Sequence, residues 1–104
     1  MAAPYNPPKR GEDFIFYIGV EDYANPGNFK TNPTIAAGDF QVSKDGGAFA
    51  NLTTLPDVDP DAGRAVKVSL SATEMTADNV VIQGVDQTAP KEWADIIIAI
   101  PTTQ

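Results

Sequence analysis

The chain has 104 residues and a formal charge of −7, with 7 Lys and Arg against 14 Asp and Glu, and it contains neither Cys nor His. That excludes disulfide frameworks, iron–sulfur clusters and thiolate zinc sites, and removes the commonest general base. The acid excess repels phosphate backbones and anionic bilayers, so neither nucleic acid nor membrane is expected as a partner.

A chain of this length suits one domain, burying roughly 60–70% of the surface that its unfolded form exposes. The opening segment MAAPYNPPKRGED has no apolar core of the signal-peptide kind. The longest apolar run, Ile96–Ile100, is too short to span a bilayer. Residues 1–13 read as an extended arm, because Pro4, Pro7 and Pro8 favour polyproline-like backbone. Its Pro4, Tyr5, Pro7, Pro8, Lys9 and Arg10 are the candidate contacts to a neighbouring subunit. Residues 14–104 read as the single folded domain.

Phe14–Val20, FIFYIGV, is apolar on both faces and predicts a central strand. Glu21–Pro33 predicts a long loop with a type II turn at Asn25-Pro26-Gly27-Asn28, pinned by Tyr23 and Phe29. Gly38–Leu52 predicts a β-hairpin: Phe40 and Val42 alternate with Gln41 and Ser43, and Asp45-Gly46-Gly47 tolerates positive φ. Thr53–Gly63 predicts a second loop. Arg64–Leu70 alternates, with Val66, Val68 and Leu70 on one face. Ser71 and Glu74 have capping-box spacing, which predicts one helical turn. Strands follow over Asn79–Val85, with Val80 and Ile82 inward, and over Glu92–Ile100, with Ile96, Ile98 and Ile100 on one face. The sum is an all-β chain of about six or seven short strands, spaced for an antiparallel two-sheet sandwich. The strand, helical turn and strand around Asp78 resemble the corner of an immunoglobulin-like domain, without its tyrosine.

Chemistry is sparse. Asp57, Asp59 and Asp61 have the D-x-D-x-D opening of a calcium loop. Ala62 stands where that loop needs Gly, Val68 where it needs its bidentate Glu, and Pro60 stiffens the middle. The reading is therefore a solvated acidic turn and no metal. The other acids lie in turns or at strand ends, and no Ser, Thr or Lys sits in an activating motif. No catalytic role is filled, so the expectation is a protein without enzymatic activity and without a cofactor. Trp93, beside Glu92 and Asp95, is read as a core or interface anchor rather than a sugar-stacking platform.

Three segments carry a family resemblance: NPTIAAGDFQVSKDGGAFANLTTLP, VKVSLSATEMTADNVVI and EWADIIIAI. Its most specific parts are Ala37–Phe40, Asp45–Gly47, Leu70–Ala72 and Glu74-Met75. Together they resemble small phage and prophage virion proteins: head fibres, capsid decoration and neck or tail parts. One departure is Thr88-Ala89-Pro90, where the family has a Gly-bearing turn before its Glu-Trp pair. The resemblance implies an immunoglobulin-like sandwich and structural work, with no catalytic residues to transfer. The expected setting is the virion, after synthesis in a bacterial host cytoplasm. The expected partners are other virion subunits and copies of the chain itself, as a symmetric oligomer, by expectation a trimer. A carbohydrate-binding module for host attachment, using Trp93 and loop tyrosines, is the rival reading.

Overall fold

A computed structural model of the chain describes residues 7–103. Pro4 and Tyr5 lie outside that range. The described residues hold seven strands: β1 (Phe14–Gly19), β2 (Phe40–Lys44), β3 (Ala50–Asn51), β4 (Asp57–Val58), β5 (Ala65–Leu70), β6 (Asn79–Gly84) and β7 (Ile96–Pro101). They form two antiparallel sheets, one ordered β1-β5-β4 and the other β3-β2-β6-β7. One buried cluster joins the sheets: Val68 and Leu70 come from the first, and Phe40, Val42, Val80, Ile82 and Ile100 from the second.

The alternating segments behave as their sequences dictate. In β5, Val66, Val68 and Leu70 are buried while Lys67 and Ser69 are half-buried. In β7, Ile96, Ile98 and Ile100 pack toward the core and Ile97 faces solvent. The hairpin turn follows from its residues. Asp45 (φ 50°) and Gly46 (φ 80°) both have positive φ, and the Gly47 N–H donates to the Lys44 carbonyl at 3.0 Å. Positive φ at both central residues is the type I′ geometry whose twist matches the flanking strands. The predicted type II turn also forms, with Gly27 at φ 96° and the Asn28 N–H donating to Asn25.

Ser71 and Glu74 make a reciprocal capping box. The Ser71 N–H donates to Glu74 Oε1 (2.8 Å) and the Glu74 N–H donates to Ser71 Oγ (3.2 Å). The turn they cap closes with the Met75 N–H on the Ser71 carbonyl and then stops, so no helix forms among the described residues.

Three expectations are corrected. A two-residue strand, β4, forms inside the predicted loop Thr53–Gly63 by pairing with β5, and β7 begins at Ile96 instead of Glu92. Phe14–Gly19 is not a central strand: β5 is the centre of its sheet and β1 lies at the edge. Phe14, Phe16 and Ile18 pack on the core, whereas Tyr17 on the other face is 45% exposed. Apolar residues stand on both faces because a loop covers part of the outer one. The Phe29 ring lies across Gly19, where an added Cβ would meet it at 2.6 Å.

Gly84 closes the far end of the four-stranded sheet. A Cβ there would stand 2.7 Å from Ile96 Cγ2 and 2.8 Å from Phe40 Cε2. Gly84→Ala is therefore expected to destabilise the fold by about 1–3 kcal/mol through overpacking, read as a lower urea midpoint at unchanged slope.

Candidate functional site

The residues singled out from sequence fall at opposite ends of β7. Trp93 precedes the strand and Pro8–Arg10 lie beside the residues that follow it. A strand of this length spans roughly 20 Å, so the two do not form one surface.

Pro8–Gly11 is docked through main-chain atoms. Lys9 is in parallel register with Thr103. The Thr103 N–H (2.9 Å) and hydroxyl (3.1 Å) both donate to the Pro8 carbonyl. The Arg10 N–H donates to the Thr103 carbonyl (2.9 Å), and the Gly11 N–H to the Met75 carbonyl (3.0 Å). Arg10 Nε pairs with Asp78 Oδ1 at 3.4 Å. Both side chains are largely solvated, so this pair adds little. The parallel ladder stops there for a covalent reason. The next donors along this edge would be the amides of Pro8 and Pro101, and proline has none. This part of the arm thus packs on its own domain. Pro7, Lys9 and Arg10 are exposed and Pro8 is half-buried.

Trp93 has no exposed surface. Its ring stacks on Phe40 with centroids 5.4 Å apart, and its Nε1–H donates to the Thr34 carbonyl at 3.2 Å. A fully buried, hydrogen-bonded indole anchors the core and offers no face to a sugar. The most exposed aromatics are instead Tyr23 and Phe29, each 57% exposed, followed by Tyr17 and Phe49. Tyr17 and Phe29 flank a shallow hollow of about 260 Å³ with Gly19, Ala65 and Arg64. The Tyr23 ring lies under Lys91 Nζ, 5.7 Å from its centroid. The hydrogen bond to Asp95 raises the Lys91 pKa above its ordinary 10.5, more than burial lowers it.

The acids serve the backbone. Both oxygens of Asp39 accept amides, from Ala36 (2.8 Å) and Gln87 (3.1 Å). Asp86 accepts from Thr88 (3.0 Å) and Glu92 (2.7 Å), and Glu74 from Ser71 and Thr53. Asp45 accepts from Asp78 and Asn79, which ties the hairpin turn to the start of β6. Sequence marked the Ser71–Glu74 pairing as a capping box, but not the bonds of Thr53 to Glu74, of Gln87 to Asp39, or of Asp78 and Asn79 to Asp45, whose partners lie far apart in the chain. Asp59 Oδ2 accepts the Tyr17 hydroxyl at 3.1 Å. Asp57 and Asp61 are exposed beside a second hollow of about 440 Å³, lined also by Leu55, Pro56 and Asn32. Among the described residues, no three acids converge as a metal site would require. Compared with family models, curated proteins and solved structures, the chain matches none.

Three outcomes are expected. The single Trp is expected to emit at short wavelength, to resist acrylamide quenching in the folded state, and to remain unchanged on titration with sugars. Trp93→Ala is expected to cost about 3–5 kcal/mol in denaturant unfolding. The Lys91–Asp95 contribution is expected to be present in full at neutral pH. It is lost as pH rises through the raised Lys91 value, and a Lys91→Gln variant compared by thermal melts at pH 7 and at high pH checks that sign.

Proposed function

We propose that this chain is a non-enzymatic structural protein of a bacteriophage particle. It would be a capsid decoration, head-fibre or neck-associated subunit that assembles on the particle with other virion proteins. The observation that carries the reading is the use of its polar groups. Asp39, Glu74 and Asp86 are buried and hold backbone amides, and no buried side-chain donor or acceptor among the described residues lacks a partner. What stays available is main chain on a sheet edge and apolar surface, which is the equipment of assembly rather than of reaction.

The strand order supports an immunoglobulin-like domain. The first sheet follows the B-E-D order of such domains, and the second follows C′-C-F-G. The parallel contact of Lys9 with Thr103 stands where an N-terminal strand would join the last one. The resemblance of Ala37–Phe40, Asp45–Gly47 and Leu70–Ala72 to small virion proteins adds the setting.

One observation favours the carbohydrate-binding reading: Tyr23 and Phe29 expose more than half their surface near one end of the domain. That platform does not include Trp93.

Quantitative mass spectrometry of purified particles, with heads and tails separated, tests the proposal. The protein is expected in heads or necks at a fixed copy number relative to the major capsid protein. Its absence from particles, with glycan-array binding lost on Tyr23→Ala or Phe29→Ala, would transfer the assignment to the carbohydrate reading.

A further inference from the structure

The four-stranded sheet ends in β7, which carries no charged residue from Ile96 to Pro101. Its even-numbered residues bond to β6. The Thr102 N–H donates to the Asp78 carbonyl, and the pairs Ile100–Val80 and Ile98–Ile82 keep that phase. By the alternation of an antiparallel ladder, the N–H and C=O groups of Ile97 and Ala99 point out from the sheet edge. Among the described residues, the arm takes up only Thr103, further along. Ile97 is 68% exposed, the most of any large hydrophobic side chain among the described residues.

We infer that β7 pairs antiparallel, across a two-fold axis, with β7 of a second copy of this chain. Ile97 of each copy then lies opposite Ala99 of the other, and each such pair exchanges both of its main-chain hydrogen bonds. The two four-stranded sheets become one continuous sheet.

Charge selects a second copy as the occupant. Asp95 precedes β7, and Lys9 sits opposite Thr103 at its far end. Residues 95, 97, 99, 101 and 103 continue one face of the strand, and Lys9 shares the face of its register partner. In this register Asp95 of one copy stands opposite Pro101 of the other, on the same face and one diagonal step from Lys9, within reach of the long lysine side chain, and this occurs twice over. The other long edge, β1, is equally uncharged but is flanked by Glu12 and Asp13 on one side and Glu21 and Asp22 on the other. Self-pairing there would set acid against acid, which is destabilising. The remaining edges, β3 and β4, are two residues long. Pro101 has no N–H to offer, so the paired stretch is confined to Ile97–Ala99 and its flanks.

The pairing does not depend on the particle reading, and an isologous contact closes at two rather than at the expected three. Sedimentation equilibrium of the full chain over a micromolar range tests it. The expected mass is twice the 11.0 kDa of the chain. Ala99→Pro removes an outward-facing N–H without breaking a rung to β6, and is expected to give the single-chain mass with the sheet circular dichroism retained. Ile97→Lys, which places a charge on the same edge, is the second variant should the first fail to fold, with the same expected mass. Asp95→Lys is expected to weaken the dimer several-fold, and Lys9→Asp in the same chain to restore it. A monomer throughout the range overturns the inference, as does a dimer indifferent to both edge variants, or a three-fold mass. Dimerisation that appears only after residues 2–6 are deleted overturns it too, because the chain's own N-terminus would then be the occupant.

Discussion

Phe40 is the side chain on which one end of this molecule depends. Its ring stacks on Trp93 at 5.4 Å and occupies the space that Gly84 leaves by having no Cβ. Both rings are fully buried and come from different parts of the chain, so their contact joins the first strand of the hairpin to the entry of the last strand. The loops there are irregular and cannot use a strand ladder for their amides. Asp39, next to Phe40, and Asp86 supply acceptors instead, each taking two backbone N–H groups. Burying a carboxylate is costly unless it is fully hydrogen-bonded, and these two are placed where amide donors converge. The acids that would first attract a search for catalysis are therefore part of the scaffold.

The opposite end is held in a different way. There the backbone bonds mainly to itself and to short polar side chains. Asp45 clamps the amides of Asp78 and Asn79, the Thr102 hydroxyl donates to the Ala77 carbonyl (2.6 Å), and Pro8–Gly11 runs alongside. Main-chain contact is indifferent to side-chain identity, which lets a proline-rich segment dock with little apolar content of its own. Its strength is limited by the same prolines, since Pro8 and Pro101 end the parallel ladder after one register position.

What the sequence made legible was local. β5, β6 and β7 could be read because their apolar period of two is unbroken, and the hairpin because Asp45-Gly46 carries the conformation that its turn demands. The capping box was legible for the same reason, with both partners inside one turn. The features that escaped all depend on distant contacts. The edge position of β1 follows from which strands flank β5, and FIFYIG reads the same at an edge or a centre when Phe29 covers part of its outer face. Trp93 is legible as a core or interface anchor, but its partners Thr34 and Phe40 are not, because they lie far away in the chain. No local pattern links Pro8 to Thr103, its partner across nearly the whole sequence.

A two-sheet fold has edges that must be closed if the protein is to remain dispersed. β3 and β4 are blunted by brevity, and β1 by acids at both of its ends. β7 is the exception: long, uncharged, and bracketed by charges of opposite sign. Had two edges been open, copies could add at both and grow into an unbounded sheet. With a single such edge among the described residues, the inferred pairing would end at two copies, because an isologous contact leaves no free partner surface. The net charge of −7 works in the same direction, since it opposes unspecific association while the local Asp95–Lys9 complement still favours one orientation.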